Sequence, residues 1–316
     1  MVSTIRAVPR ILIAMAIVAS LSITALALNA TRSYPIQPPI VSLQHGHRQL
    51  RILLVGDSMA GTLGLGLAAA APSSGVTLIN AALVGCGVSI AWDDGWASSV
   101  WVPGPPNFPC QSPKQLTTYW KSFLRRYRPA VVIYVNRMDT ISQEVNPGST
   151  QRMTSVLNRQ FQAYLTSAMT KAVGVLSSYG AHVILTTSAP TKIGLVGNQY
   201  DNPRRWLIYD KILRSVASRS NGRVSIFDLG RFFGGNGSDP KFSLIAPSGV
   251  QWRCADGIHF SVAGGILVAP SLLKLAWKVA PPADLSASMA RAVPPSVANR
   301  PWPPYAAQQS TMGCPA

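Results

Sequence analysis

A serine attacks an ester carbonyl efficiently only where one group takes its proton and others stabilise the charge that develops on the carbonyl oxygen. The informative residues are therefore those that can bring a serine, a histidine and a carboxylate together. Ser58 follows the apolar run RILLV (51–55) and Gly56-Asp57, and a stretch rich in small residues follows it. That order reads as a strand running into a helix N-terminus, where free N–H groups and the helix dipole favour negative charge. Gly-Asp-Ser also forms ordinary turns and N-caps, so the tripeptide alone has two readings. The second signal is Asp256-Gly257-Ile258-His259, just before the last helical stretch. A carboxylate three residues before a histidine can turn back to a ring nitrogen, fix its tautomer and stabilise the imidazolium. Of the other histidines, His45 and His47 lie in a Pro-containing segment, and His182 opens a strand-like run and reads as a packed or edge residue.

Positioning these groups requires a scaffold. Short, β-rich runs at 51–55, 76–82, 131–135, 182–187 and 224–229 are each bounded by turn residues. Helical patterns lie between them at 59–70, 113–127, 151–179 and 204–219. Continuous apolar strands separated by helices imply a parallel sheet covered on both faces, hence an α/β fold of three layers, α/β/α, with a central five-stranded parallel sheet. In such sheets ligands bind beyond the carboxyl ends of the strands, where Ser58 is expected.

The flanks differ from this middle. Residues 11–28 are an uncharged apolar run preceded by Arg6 and Arg10. The run is just long enough to span a bilayer, and its basic flank keeps the N-terminal side in the cytoplasm, leaving the rest of the chain outside. Small residues at Ala25 and Ala27, or Leu28 and Ala30, also offer a cleavage pattern, so signal anchor and signal peptide both stay open, the length favouring the anchor. The expected organisation is 1–28 anchor or signal, 29–49 linker, 50–280 globular domain and 281–316 a Pro/Ala-rich C-terminal tail. An extracytoplasmic place, membrane-anchored or secreted, suits the even count of cysteines, Cys86, Cys110, Cys254 and Cys314, which favours disulfides over a metal site. Four cysteines allow three pairings. Cys86 with Cys110, closing one loop, and Cys254 with Cys314, tying down the tail, is the expected one.

The net charge of +17 comes from 28 Lys and Arg against 11 Asp and Glu, with clusters at 125–128 and at Arg204-Arg205. A solvated basic surface suits an anionic envelope, and steering of a polyanionic wall polymer or anionic lipid is the sharper alternative. Export argues against nucleic acid as a partner.

The blocks GDSM and DGIHFSVAGG resemble the first and last sequence blocks of the SGNH, or GDSL-like, hydrolase superfamily, over roughly 51–279. The resemblance implies a flavodoxin-like hydrolase fold and a triad of Ser58 as nucleophile, His259 as base and Asp256 as its partner, with no cofactor and no metal. It also implies an oxyanion hole built from the Ser58 N–H, a glycine N–H of the second block and an asparagine of the third. LVGCGVS offers Gly85 or Gly87, of which Gly87 is preferred. The third block departs from the family pattern GxND. VNRMD places Asn136 at the glycine position and Met138 where the asparagine belongs, so either Asn136 substitutes or the hole has two donors. VQWRCADGIHFSVAGG, with an arginine shortly before DGIHF, is similar to SGNH domains appended to membrane acyltransferases that modify bacterial surface polysaccharides. That similarity implies a carbohydrate O-acyl group, most naturally O-acetyl, as substrate, with esterase and acyltransferase both open.

Trp92, Asp93, Asp94, Trp96, Trp101 and Phe108 occupy an insert bracketed by Cys86 and Cys110. They can stack on sugar rings or cover an acyl chain, or simply pack the loop onto the domain. Hydrolysis of a lipid or other small ester is the nearest alternative activity. A non-catalytic glycan-binding module is the rival class.

Overall fold

The computed structural model describes residues 49–91, 97–98, 109–110, 112–141, 144–145, 153–192, 201–236, 239–240, 242–281, 292–300 and 313–314. All belong to the compact unit Pro38–Ala316, while the unit Met1–Gln37, with the expected membrane segment, lies outside the described residues. The rest of the expected linker up to Arg48 and the aromatic insert residues also lie outside them.

Five strands form one parallel sheet: β1 (Leu50–Gly56), β2 (Val76–Asn80), β3 (Val131–Val135), β4 (His182–Thr186) and β5 (Val224–Phe227). Their spatial order is β2-β1-β3-β4-β5. The register runs from Leu50 opposite Val76 on one side of β1 and from Ile52 opposite Val131 on the other. The chain winds outward from β1 in both directions, so a crevice opens between the carboxyl ends of β1 and β3, the switch point at which such sheets bind ligands. The helices are α1 (Ser58–Ala70), α2 (Pro113–Tyr127), α3 (Arg159–Leu176), α4 (Pro203–Ser218) and α5 (Val262–Val279). The five-stranded, three-layer α/β fold expected from the alternating pattern is the one observed.

Strand residues alternate between two cores. Leu53, Val55, Val132, Tyr134, Val183 and Leu185 pack with α2, α3 and α4, whereas Ile52, Leu54, Val131, Ile133 and Ile184 pack with α1 and α5. Because both faces are covered, β3 is apolar throughout and the other strands are mostly so, without a regular polar-out alternation.

Caps explain the helix limits. Ser112 Oγ accepts from Gln115 N at 3.2 Å, with Pro113 in the first turn of α2. The expected helix over 151–179 begins only at Arg159, because Asn158 takes an extended conformation and accepts from Gln160 N and Phe161 N. The residues before it instead form a small antiparallel ladder, Ala97–Ser98 with Glu144–Val145 and Glu144–Val145 with Met153–Thr154. The expected tail is also less loose than its prolines suggest. Asn299 N donates to Leu78 O (2.8 Å), Leu78 N donates to Asn299 Oδ1 (2.7 Å), and Ala298 bridges Ile79, so this segment shields the outer edge of β2.

Helices α1 and α5 cover the same face of the sheet, and every residue of α1 from Met59 to Ala68 is buried. Helix α5 is apolar and long enough to pass as a membrane span by length and composition, but here it packs on α1 as a core helix. The two backbones touch. A Cβ on Gly66 would lie 2.3 Å from Val262 O and 2.4 Å from Ile266 N, and one on Gly265 would lie 2.6 Å from Leu63 O. Gly66→Ala is therefore expected to lower stability by about 2 kcal/mol, despite alanine's helix-propensity advantage of about 1 kcal/mol. Urea unfolding of the two proteins measures the difference, and an unchanged midpoint would contradict the close contact.

Candidate active site

The turn from β1 into α1 is held by a backbone contact and a buried carboxylate. Gly56 has φ +135, and a Cβ there would sit 1.7 Å from Val135 O, so only glycine lets β1 close on the end of β3. Asp57 caps α1 through Oδ1, which accepts from Met59 N at 2.8 Å. Its Oδ2 accepts from Arg137 N (2.7 Å) and Met138 N (2.8 Å), joining the first turn to the one after β3. Burial pushes the Asp57 pKa up, while the Arg137, Met138 and Met59 N–H groups and the charge of His259 pull the other way. Ser58 is thus the first helical residue, partly exposed at the carboxyl edge of the sheet.

The opposite side of the site is the loop before α5. Arg253 and Phe260 form an antiparallel bridge, Cys254 N donates to His259 O (2.9 Å), and Gly257 turns the loop at φ +72. Asp256 Oδ1 accepts from Ile258 N (2.8 Å) and His259 N (3.0 Å). Its Oδ2 lies 2.5 Å from His259 Nδ1, and His259 Nε2 lies 2.9 Å from Ser58 Oγ, across 201 positions of sequence. An ionised carboxylate only accepts, so Nδ1 carries a hydrogen, and in the neutral ring Nε2 is then the acceptor that faces the serine hydroxyl. Burial pushes the Asp256 pKa up, but the hydrogen bond and charge of His259 and the two N–H groups outweigh it, leaving the carboxyl below its ordinary range.

This loop is braced from below by Arg253, whose side chain is fully buried. Its guanidinium donates to Ile258 O (2.6 Å) and Pro190 O (2.7 Å) and stacks 4.2 Å over Phe260. Burial lowers its pKa to about 9, with Arg137 adding to the effect and Asp256 opposing it. Phe260 N donates to Thr62 Oγ1 of α1 at 3.3 Å, which links the loop directly to the helix that starts at Ser58. Ala255 N donates to Gly313 O (3.0 Å), beside a disulfide between Cys254 and Cys314. Cys86 pairs with Cys110, so both bonds expected from the sequence are present.

Among the described residues, the backbone N–H groups of Ser58 and Gly87 find no hydrogen-bond partner in the protein. A Cβ on Gly87 would fall 2.4 Å from Asp139 Oδ1, so the Gly87 loop lies directly on that carboxylate. Asp139 accepts from Ser89 N (2.9 Å), Ser89 Oγ (2.8 Å), Tyr134 Oη (2.8 Å) and Tyr209 Oη (3.3 Å). Asn136 bridges the same two parts: its Nδ2 donates to Cys86 O (2.6 Å), and its Oδ1 accepts from Asp139 N (2.9 Å). An amide NH2 has two hydrogens, so one donor of Asn136 remains after the bond to Cys86.

Sequence reasoning placed Ser58, Asp256, His259, Gly87 and Asn136, and the fold brings the first three into one hydrogen-bonded line. It read Asp57 only as a turn or cap residue and missed that its second oxygen joins two loops. Arg137 gave no signal, yet its buried guanidinium donates to Thr191 Oγ1 (3.0 Å) and reaches Asp201 (3.4 Å), tying the turn after β3 to the start of α4. His182 bonds Ser225 Oγ at 2.9 Å within the sheet, away from this line. No group of three or more His, Cys, Asp or Glu among the described residues could hold a metal ion. A serine hydroxyl facing an oriented imidazole, with free N–H donors at hand, is equipped for acyl transfer.

A family model described as an SGNH domain (fused to AT3 domains) matches residues 35–274. No curated protein matches the chain. Among solved structures it is similar to the acetyl xylan esterase AlAXEase, with 15% identity over 72% of this chain and 99% of that one at a TM-score of 0.43. It is also similar to the psychrotrophic esterase EstA from Pseudoalteromonas sp., with 14% identity over 72% and 97% of the two chains at a TM-score of 0.41. A GDSL-like lipase from Bacteroides thetaiotaomicron VPI-5482 matches at 11% identity over 72% and 88%, with a TM-score of 0.41.

Asp139 imposes a signed pH dependence on the loop it supports. Burial pushes its carboxyl from an ordinary 3.8 up to about 6, against the pull of its bonds to Ser89 and Tyr134. The folded protein therefore keeps a proton that the unfolded chain has released. This group's contribution to stability is complete below about pH 4 and is lost as pH rises through about 6. Asp139→Asn cannot ionise and is expected to shrink the difference between urea midpoints at about pH 4.5 and about pH 7; an undiminished difference would contradict the assignment.

Proposed function

The chain belongs to the SGNH domain family, and on that premise we propose that it is an exported serine esterase or acyltransferase acting on O-acyl, chiefly O-acetyl, groups of cell-envelope carbohydrate. The observation that carries the reading is the line Asp256–His259–Ser58, with its separations of 2.5 and 2.9 Å. Ser58 Oγ attacks the ester carbon while its proton passes to His259 Nε2, and Asp256 stabilises the imidazolium. The N–H groups of Ser58 and Gly87, with the second hydrogen of the Asn136 amide, receive the developing oxyanion. Collapse of the tetrahedral species breaks the bond to the alcohol, which leaves with the proton from His259, and Ser58 retains the acyl group. Water or a second sugar hydroxyl then attacks this acyl-enzyme through the same base, so one site serves hydrolysis and transfer alike.

Export is supported by the apolar run at 11–28 and by the two disulfides, which persist in oxidising compartments. The carbohydrate substrate is supported by the likeness of VQWRCADGIHFSVAGG to SGNH domains appended to acyltransferases of surface polysaccharides, with which the matched family's fusion to AT3 domains agrees. A non-catalytic glycan-binding module would need no aligned base. Here Asp256 is held by two N–H groups and Arg253 is buried beneath the loop, an arrangement that a working base accounts for and a passive module does not.

The full chain in neutral detergent is expected to hydrolyse 4-nitrophenyl acetate. Ser58→Ala should lower kcat by at least about 10⁴-fold, and Asn136→Ala by about 10²-fold through loss of one oxyanion donor. An organophosphonate should label Ser58 in the intact protein, read by mass spectrometry. Equal rates for wild type and Ser58→Ala would remove the reading.

A further inference from the structure

An open groove of about 700 Å³ runs between α3 and α4 on the outer side of the domain. Arg159, Arg204 and Lys211 line it over a floor that includes Leu207, Ile208 and Ile212, and no acidic side chain contributes to the lining. All three cations are exposed, and none forms an ion pair among the described residues. Arg159 is the first residue of α3 and Arg204 the second of α4, and neither helix has an acid in its first turn. The positive end of a helix dipole disfavours cations. Here two such ends and two arginines reinforce one another beside a recess, concentrating positive potential where a bound anion would relieve it.

Both helices begin at the carboxyl edge of the sheet, the edge that carries Ser58. Tyr164 of α3 donates to Ser89 O at 2.9 Å, next to the Gly87 loop, and Asp201, just before α4, meets Arg137 at 3.4 Å. The cationic end of the groove is thus tied to the two loops that border the site.

We propose that this groove binds the anionic backbone of a polysaccharide, one bearing carboxylate or phosphate groups, whose acyl ester reaches Ser58. Several features favour a polymer over a membrane surface. The cations border an open groove between two helices. Arg204 and Lys211 stand two helical turns, about 10 Å, apart along it, which suits charges repeating on successive sugar units. The aliphatic floor suits the C–H faces of sugar rings. The inference rests on the proposed esterase or transferase activity for its catalytic meaning, but the binding it predicts is measurable without that activity.

The test uses the full chain in neutral detergent and the triple variant Arg159→Glu, Arg204→Glu, Lys211→Glu. Acidic residues suit helix N-termini, so the first two changes do not oppose folding. With O-acetylated polygalacturonate at low salt, the variant should show a KM raised about tenfold or more. Its kcat, its rate on neutral acetylated xylan and its rate on 4-nitrophenyl acetate should stay unchanged. On a Ser58→Ala background, affinity electrophoresis in polygalacturonate should show retardation that the triple variant loses. Equal retardation of both proteins overturns the proposal. So does a variant that keeps polygalacturonate binding while losing binding to phosphatidylglycerol vesicles, since the groove would then be a membrane face. Intact groove-dependent binding without ester hydrolysis would support the groove and count against the esterase reading alone.

Discussion

The backbone contact between α1 and α5 is the constraint on which the site depends. Ser58 begins the first helix, and His259 stands just before the N-cap Ser261 of the second. Their separation of 2.9 Å is therefore set by how closely two helices approach and at what register. Glycines at 66 and 265 permit that approach, and Gly264 lets the segment at Trp252 lie against α5. The bond from Phe260 N to Thr62 Oγ1 fixes the register directly beside the imidazole. A serine and a histidine 201 positions apart in sequence meet in a hydrogen bond only where such a rigid joint holds them.

Around that joint the protein buries charge to a degree its stability alone would not favour. Asp57, Asp139, Arg137 and Arg253 are all largely or wholly inaccessible. Charges in such places are tolerated only when hydrogen-bond partners or an opposite charge replace the lost water. Asp57 and Asp139 collect backbone N–H groups and hydroxyls, and Arg253 collects two carbonyls and an aromatic face. The result is that the turn after β1 is locked to the turn after β3, and the loop before α5 to the segment after β4, by polar contacts and not by packing alone.

The fold was legible because its signals are local. Each strand is a short apolar run, each helix a longer pattern with a cap, and their alternation admits few topologies. The start of α3 was misjudged because the apolar pattern continues across 151–158, while the boundary is set by one residue, Asn158, whose side chain competes for the first N–H groups. The segment 292–300 reads as part of a tail tied down by Cys314, its prolines excluding regular helix or sheet; it also docks through Asn299 at the outer edge of β2, a contact no local pattern announces.

The same division runs through the site. The sequence by itself determined which groups can do chemistry, since Gly-Asp-Ser after a strand and Asp-x-x-His before a helix restrict the conformations and partners available to each motif. It also determined that Asn136 departs from the pattern of its block. Only the tertiary structure decided how these pieces meet: that Asp57 reaches Arg137 N and Met138 N, that Asn136 commits one donor to Cys86 O, and that an arginine lies buried under the histidine loop. The reason is physical. Hydrogen bonds between turns far apart in sequence depend on strand order and helix approach, and these are properties of the packed sheet and not of any segment read alone.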